Sequence, residues 1–147
     1  MFHSAATFDS PVGGWAVSSV TNTKGMFYGA SSFGHDLSSW DVSNVVEASY
    51  MFANAPEFDR DLSSWNVPSV TTMNCMFNGA TVFDQDLSRW DMSLVTDMND
   101  MFFFAANFNQ PISQWETSSV TVMHTMFYGA VSFDQTLCWN LVNTMQN

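Results

Sequence analysis

Apolar residues recur along this chain in a fixed order with a period of 25 residues. Each unit opens on a Met-Phe pair, and the methionines are Met1, Met26, Met51, Met76, Met101 and Met126. With Met counted as position 1, Phe returns at position 8, an aliphatic residue at position 12, Trp at position 15 and Val at position 20. This regularity predicts six tandem structural units, which begin at residues 1, 26, 51, 76, 101 and 126.

Two different periodicities divide each unit, and the first is helical. Val95, Met98, Met101, Phe102 and Ala105 are spaced like the residues on one face of a helix. This spacing predicts a short helix from about position 19 to position 5 of the next unit. Gly-Ala at positions 4 and 5 is the expected end of that helix. The expected N-cap is the serine at position 18, which is Ser18, Ser43, Ser93 and Ser118.

The segment from position 8 to position 13 alternates instead with a period of two. Phe83, Gln85 and Leu87 are predicted to point to one side of a strand, and the residues between them to the other. We therefore expect an α/β solenoid of six strand-helix coils with a parallel sheet on its concave side. The chain is predicted to be a single repeat domain, residues 1–147, and Met1 at the first repeat position indicates part of a longer protein.

The charge of the chain narrows the range of partners. The chain has 14 acidic residues against 3 lysines and arginines, which gives a formal net charge of −11. Nucleic-acid binding needs clustered Lys and Arg, so we do not expect that class of partner, and a basic protein is the better match. No apolar run reaches the roughly 18 residues that span a bilayer, and no signal peptide opens the chain. Direct membrane insertion is therefore not expected.

Three segments of the chain carry a family resemblance. They are W-D-V-S-N-V at 40–45, F-D-Q-D-L-S-R-W at 83–90 and V-T-D-M-N-D-M-F at 95–102. They resemble the BspA-like leucine-rich-repeat surface proteins of bacteria, protists and microalgae. The resemblance implies a leucine-rich-repeat-like fold, an extracellular or cell-surface location, and a role in adhesion or protein recognition. Residues 137–139, Leu-Cys-Trp, are similar to the opening of a terminal cap in some algal members, but the downstream Cys of that cap is missing.

Acidic residues recur at positions 9 and 11 of the predicted strand, which would share its outward face. We predict that this face binds the partner through Asp36, Asp59, Asp61, Asp84, Asp86 and Asn109. The carboxylates among them at Asp59, Asp61, Asp84 and Asp86 are also candidate Ca²⁺ ligands, because stacked carboxylates repel one another unless a cation compensates. Alternatively, these side chains accept backbone or Ser hydrogen bonds in turns. The sequence leaves both interpretations open.

Two further columns of the repeat are predicted to be structural. At position 10, Gln85, Gln110 and Gln135 indicate a ladder of hydrogen-bonded amides, which His35 and Arg60 interrupt. The Trp column is assigned to the core, because a ligand site is usually a local departure from a repeat. We therefore predict that the tryptophans are buried between neighbouring coils.

The sequence contains none of the common catalytic signatures. Zinc-protease, serine-hydrolase, dinucleotide-binding, P-loop and C-x-x-C motifs are all missing, and His3, His35 and His124 fall at unlike repeat positions. Cys75 and Cys138 also differ in repeat position, so a disulfide between them is not expected. We expect a surface recognition or adhesion scaffold, without enzymatic activity or cofactor, that binds a protein. The alternatives are a structural subunit or spacer in a larger assembly, a calcium-stabilised surface module, and a hydrolase of surface glycans that uses paired Asp.

Overall fold

A computed structural model describes residues 5–139 of the chain. The first Met-Phe pair, at residues 1–2, and His3 lie outside this range, as do the residues that follow Trp139. Within 5–139 the backbone forms turns and short extended connections, with no helix and no β-strand longer than a single bridge. The predicted α/β solenoid of strand-helix coils, with its leucine-rich-repeat-like parallel sheet, is therefore wrong. None of the described residues forms a helix long and apolar enough to cross a membrane.

The described residues form coils that are made of turns, and successive coils stack in register. Parallel β-bridges join residues that are one repeat apart, and they form a single file through Asn22, Glu47, Thr72, Asp97 and Val122. Each bridge is isolated, so the file does not widen into a sheet. The period of the sequence is therefore the period of the stack, although the secondary structure of each unit differs from the prediction.

The predicted helical segment carries the main hydrogen-bond ladder between coils. In one coil, the N–H groups of Thr23, Gly25, Phe27 and Gly29 donate to carbonyl groups of the next coil, at 2.8–2.9 Å. The N–H groups between them donate to acceptors within their own coil, as Tyr28 N–H does to the Gly25 carbonyl. An α-helix needs every N–H for a carbonyl four residues earlier. Because half of these groups bond across the stack, no helix can form.

Left-handed residues occur at two fixed places in this ladder. Backbone φ is positive at position 25 and again four residues later, at position 4 of the next unit. The residues with positive φ are Gly25, Gly29, Tyr50, Asn54, Cys75, Gly79, Asp100, Phe104, Thr125 and Gly129. A residue in this conformation cannot continue a right-handed helix. The Gly-Ala pair therefore reverses the chain within each coil and does not end a helix.

The predicted strand at positions 8–13 is also wrong, because its N–H groups bond to side chains. The N–H of Asp84 donates to Oδ1 of Asp59 in the preceding coil at 3.0 Å, and the N–H of Ser88 donates to Oδ1 of Asp86 at 2.8 Å. Local side-chain acceptors compete in this way with a strand ladder. The expected burial of Phe83 and Leu87 is confirmed, since both are fully buried.

Serine at position 18 does not act as an N-cap. The N–H groups of Ser43, Ser93 and Ser118 donate to the acidic side chain two residues earlier, at 3.0–3.1 Å. These short-range bonds close turns of the kind that Asp and Asn commonly form.

Stacked aromatic rings form the centre of the stack. Within a coil, the Phe of the Met-Phe pair stacks on the Phe at position 8, as Phe77 does on Phe83 at 4.1 Å between centroids. Between coils, Phe77 stacks on Phe102 at 5.6 Å. All five residues of the predicted helical face are fully buried: Val95, Met98, Met101, Phe102 and Ala105. The pattern of apolar positions therefore predicted the core correctly.

The Trp column lies in the core from Trp40 to Trp115, as predicted, whereas Trp15 is 42% exposed. Trp65 and Trp90 are 4% and 3% exposed, and their rings stack at 6.2 Å. Each buried indole N–H donates to the backbone carbonyl of the position-12 residue in the preceding coil, as Trp90 does to Leu62 at 3.2 Å. The same bond is made by Trp139 to Ile112, despite the shorter spacing after Leu137. The column therefore joins successive coils.

Candidate functional site

The position-9 residues of the predicted partner face serve mainly to join coils. Oδ1 of Asp59 accepts the N–H of Asp84 and, at 2.7 Å, the Nε2 amide of Gln85. Asp84 accepts the equivalent groups of Asn109 and Gln110. These partly buried side chains hold one coil against the next, so they are less available to a partner.

The glutamine column at position 10 donates to position 9 of the preceding coil, and not to neighbouring amides as predicted. Where the glutamine is replaced, the substitute makes the same cross-coil contact. Nε2 of His35 lies 2.8 Å from Oδ1 of Asp9, although the two are not aligned as a hydrogen bond. Nε of Arg60 donates to the carbonyl of Gly34. His35 and Arg60 therefore continue the column of cross-coil contacts and do not interrupt it.

The position-11 carboxylates are exposed and close tight turns. Oδ1 of Asp61 accepts the N–H of Ser63, and Asp36 and Asp86 accept Ser38 and Ser88 in the same way, all at 2.8 Å. Hydrogen bonds from Ser63 lower the pKa of Asp61, and they outweigh the opposing charges of Asp36 and Asp86. Hydrogen bonds from serine are also the largest cause that lowers the pKa of Asp36, Asp41, Asp86, Asp91 and Glu116.

These lowered pKa values predict that acid destabilises the stack. When a carboxyl group has a lower pKa in the folded state than in the unfolded state, the unfolded chain binds more protons as the pH falls. The stabilisation is therefore complete above the ordinary value of 3.8 for Asp and is lost as the pH drops through the lower folded values. We expect the melting temperature to fall steadily between about pH 5 and pH 2.

A triple variant controls this prediction. In Asp36→Asn/Asp61→Asn/Asp86→Asn, the amide oxygen still accepts the serine N–H but does not titrate. Its melting temperature should change less with pH than that of the unchanged chain. Equal pH profiles would show that the turn carboxylates do not cause the acid sensitivity.

The candidate Ca²⁺ ligands are separated into these two hydrogen-bonded columns. Asp59 and Asp84 bond to the following coil, whereas Asp61 and Asp86 close turns. In residues 5–139, no three His, Cys, Asp or Glu side chains come together in a way that would hold a metal ion. The interpretation of these carboxylates as turn and backbone acceptors therefore accounts for their geometry.

A second surface lies along the left-handed ladder, where positions 24, 25, 3 and 4 change from unit to unit. We call it the variable strip, and it consists of the residues that flank the Met-Phe pairs of the core: 24–25, 28–29, 49–50, 53–54, 74–75, 78–79, 99–100, 103–104, 124–125 and 128–129. Every non-glycine residue with positive φ among the described residues belongs to it: Tyr50, Asn54, Cys75, Asp100, Phe104 and Thr125. Other units have glycine at these two positions. The strip therefore replaces the residue that suits the backbone with side chains of diverse chemistry.

Polar side chains at position 25 interact along the variable strip. Asp100 accepts hydrogen bonds from Thr125 Oγ1 and, at 2.8 Å, from Asn99 Nδ2, and the Cys75 thiol lies 4.0 Å from its Oδ2. A hydrogen bond to Cys75 raises the pKa of Tyr50. Burial is the largest cause that raises the pKa of the Cys75 thiol, so this thiol stays protonated near neutral pH. A protonated thiol is a poor nucleophile.

Aromatic side chains are exposed at both ends of the strip. At one end, Tyr28 and Tyr50 border a cavity with Lys24, whose Nζ lies 6.0 Å from the Tyr50 ring centroid. At the other end are Phe103, which is partly buried, and Phe104 and Tyr128, which are 49% and 61% exposed. Large rings of this kind are enriched where proteins bind other proteins.

Sequence reasoning missed the variable strip because its residues were assigned to a helix. The available signal was the pair of positions four residues apart that alternate between glycine and other types, including Asn54. Glycine and asparagine are the residues that most readily adopt positive φ.

Cys75 and Cys138 are both free, and Cys138 is exposed.

Comparison with known proteins gives one family and no individual relative. No curated protein and no solved structure matches the chain. A family model described as "Mycoplasma protein of unknown function, DUF285" matches residues 1–74 and 58–147, which together span the sequence. The chain therefore belongs to the DUF285 family of Mycoplasma proteins of unknown function.

Proposed function

We propose that this coil stack is a non-catalytic recognition module at a cell surface, and that it binds a protein partner through the variable strip. One observation carries the proposal: all six described non-glycine residues with positive φ lie on this strip. For Tyr50, Cys75, Phe104 and Thr125 this conformation costs about 1–2 kcal/mol relative to a right-handed one, and for Asn54 and Asp100 it costs less. Strain of this kind is concentrated at functional sites, where the side chain matters more than the backbone preference.

The contrast between core and strip supports the same proposal. Core positions repeat almost unchanged from coil to coil, whereas position 25 changes from Gly25 to Tyr50, Cys75, Asp100 and Thr125. A regular scaffold that presents different side chains along one surface is well suited to recognising a particular partner. The cell-surface location is supported by the resemblance to BspA-like proteins, and labelling of intact cells with an antibody to the chain tests it.

The acidic columns remain a second candidate for the partner face. Asp36, Asp61 and Asp86 stay exposed, and they can attract a basic partner even while they close turns. The variable strip has the stronger support, because glycine would suit its positive-φ backbone better than the side chains that are present there.

A structural role is the alternative function, and the last described coil favours it. Met123, Met126, Phe127, Leu137 and Trp139 line an apolar cavity of about 430 Å³ at that end of the stack. Repeat arrays bury such surfaces against another repeat or a neighbouring subunit. In this role, binding would depend on the end coil and not on the strip.

A glycine variant of the strip tests the proposed function. In Tyr50→Gly/Phe104→Gly/Thr125→Gly, side chains are removed at positions where glycine suits the backbone, so the stack should remain folded. We expect this variant to lose binding to the surface fraction of the organism that encodes the chain. Leu94→Ala, which alters a 52% exposed side chain outside the strip, should bind as the unchanged chain does.

Other outcomes point to other surfaces. Full binding by the folded glycine variant would overturn the strip as the site. If the Asp36→Asn/Asp61→Asn/Asp86→Asn variant alone lost binding, the acidic columns would be the partner face. Loss of binding only on substitution of Met123 or Phe127 would favour the structural role.

A further inference from the structure

Three aromatic rings form a compact cluster at one end of the variable strip, which we call the aromatic corner: Phe103, Phe104 and Tyr128. Phe103 and Tyr128 are stacked, with centroids 5.3 Å apart and planes 18° apart. Phe104 is nearly perpendicular to both, at centroid distances of 4.7 and 5.5 Å. The corner therefore presents ring faces in two directions on an exposed surface.

Coil packing fixes the position of this corner. The Phe104 ring lies so close to Gly129 of the next coil that a Cβ atom there would be 2.5 Å from it. The N–H of Phe104 donates to the Tyr128 carbonyl at 2.7 Å, and the N–H of Gly79 donates to the Phe103 carbonyl at the same distance. Rings that are held in place lose little conformational freedom when they bind a partner.

Negative charge borders the aromatic corner. Asp100 lies in the same turn as Phe103, whose N–H donates to the Asp100 carbonyl at 3.1 Å. Oδ1 of Asp100 accepts the Thr125 hydroxyl, and the Thr125 carbonyl accepts the N–H of Tyr128 at 3.0 Å, so this carboxylate lies within one turn of the corner. Among residues 5–139 the one ion pair is His35 with Asp9, so the Asp100 carboxylate has no cationic partner there.

The other end of the strip already shows an aromatic ring paired with a cation. Lys24 lies over the Tyr50 ring at 6.0 Å, at a distance typical of cation–π contacts. Within the described range this is the one such contact, and the corner rings have no cation of this chain over them. The lysines and arginines of the chain are Lys24, Arg60 and Arg89, and none of them lies over the corner rings, so a partner is the source of an arginine or lysine at the corner.

We infer that the aromatic corner binds arginine or lysine side chains of a basic segment in a protein partner. The inference rests on the proposed function and names the chemistry of its partner. The ring faces hold the aliphatic stem and the cationic head of the side chain, while Asp100 supplies the opposite charge. An uncharged peptide would gain only the contact with the rings.

The experiment titrates the folded chain with the blocked peptide acetyl-Gly-Arg-Gly-Arg-Gly-amide. The aromatic NMR signals of Phe103, Phe104 and Tyr128 report binding. We expect these signals to shift selectively. A peptide with citrulline in place of arginine should bind at least about tenfold more weakly. Raising the salt concentration should weaken binding of the arginine peptide, because salt screens exposed charges.

Two variants at the same repeat position provide a matched pair. Phe104→Gly removes a corner ring and places there the residue that other units have, and it should weaken peptide binding about fivefold. Asn54→Gly makes the same change two coils away at the same φ of 54°. Asn54 lies in the strip but outside the corner, so this variant should leave binding of the arginine peptide unaltered. Asp100→Asn should weaken binding and reduce its dependence on salt.

The other outcomes overturn either the inference or the proposed function. Equal binding of the citrulline peptide would mean that the corner recognises shape and not charge. Concentration-dependent shifts without any peptide would identify a second copy of this chain as the occupant. If the arginine peptide failed to bind while the glycine variant still lost its surface-fraction binding, the inference would fail and the proposed function would stand. If the glycine variant kept that binding, the proposed function would fail by itself.

Discussion

Replacing Trp90 with Ala should lower the free energy of unfolding by about 3–5 kcal/mol, as for other large buried aromatic side chains. Trp90 is 3% exposed and stacks on Trp65 at 6.2 Å, with Phe77 tilted against it at the same distance. The substitution leaves a cavity between coils and leaves the Leu62 carbonyl without its indole donor. Urea unfolding of the two proteins measures the difference.

Trp90→Phe separates the two contributions. Phenylalanine refills much of the space but cannot donate a hydrogen bond, so this variant should recover most, but not all, of the lost stability. Trp15→Ala is a useful comparison, because the first Trp is 42% exposed and should cost much less. Unchanged stability in Trp90→Ala would mean that the Trp column does not join the coils, and a ligand-binding role for it would have to be reconsidered.

The core could be predicted from the sequence because burial depends on which positions face inward, whatever the backbone conformation. Val95, Met98, Met101 and Phe102 were assigned to one buried face, and all four are fully buried. The helix assigned to them was wrong. Turns that repeat every three or four residues bring side chains to the same face with nearly the helical spacing, so periodicity alone does not distinguish the two structures.

The competing signal was present in the choice of residues. Gly25, Gly29, Gly79 and Gly129 have positive φ, and Asn54 shares that conformation. Read as ends of helices, these residues fit a strand-helix repeat. Taken together with their four-residue spacing, they indicate two chain reversals per coil, which a helix cannot contain.

The candidate site, like the fold, was predicted only in part from the sequence. The acidic columns were recognised, and the structure uses Asp59, Asp84 and Asp61 as acceptors of backbone hydrogen bonds, which was one of the two interpretations left open. The variable strip was missed, because its residues had been assigned to a helix and its definition depends on backbone conformation. The expectation that ligand sites are local departures from a repeat points to Tyr50 and Phe104 once the ladder is known.

Replacing Gly79 with Ala should destabilise the stack by about 2–4 kcal/mol, which combines the cost of a left-handed alanine with that of overpacking. Gly79 has φ of +70°, and its new Cβ would lie 2.8 Å from Oδ1 of Asn54 in the preceding coil. The N–H of Gly79 also belongs to the ladder, since it donates to the Phe103 carbonyl at 2.7 Å. Thermal and urea unfolding measure the loss.

Gly14→Ala is the matched control for this change, because no atom lies within 4 Å of the Cβ that it would add. It should leave stability unchanged, or raise it by about 0.4–1 kcal/mol because alanine lowers the conformational entropy of the unfolded chain. Adding Asn54→Gly to Gly79→Ala removes the atom that the new Cβ meets, so the double variant should recover the overpacking part and retain the cost of positive φ. If Gly79→Ala proved as harmless as Gly14→Ala, Gly79 could not have a left-handed backbone. The hydrogen-bond ladder that sets the variable strip would then be wrong as well, because the strip and the ladder depend on the same chain reversal.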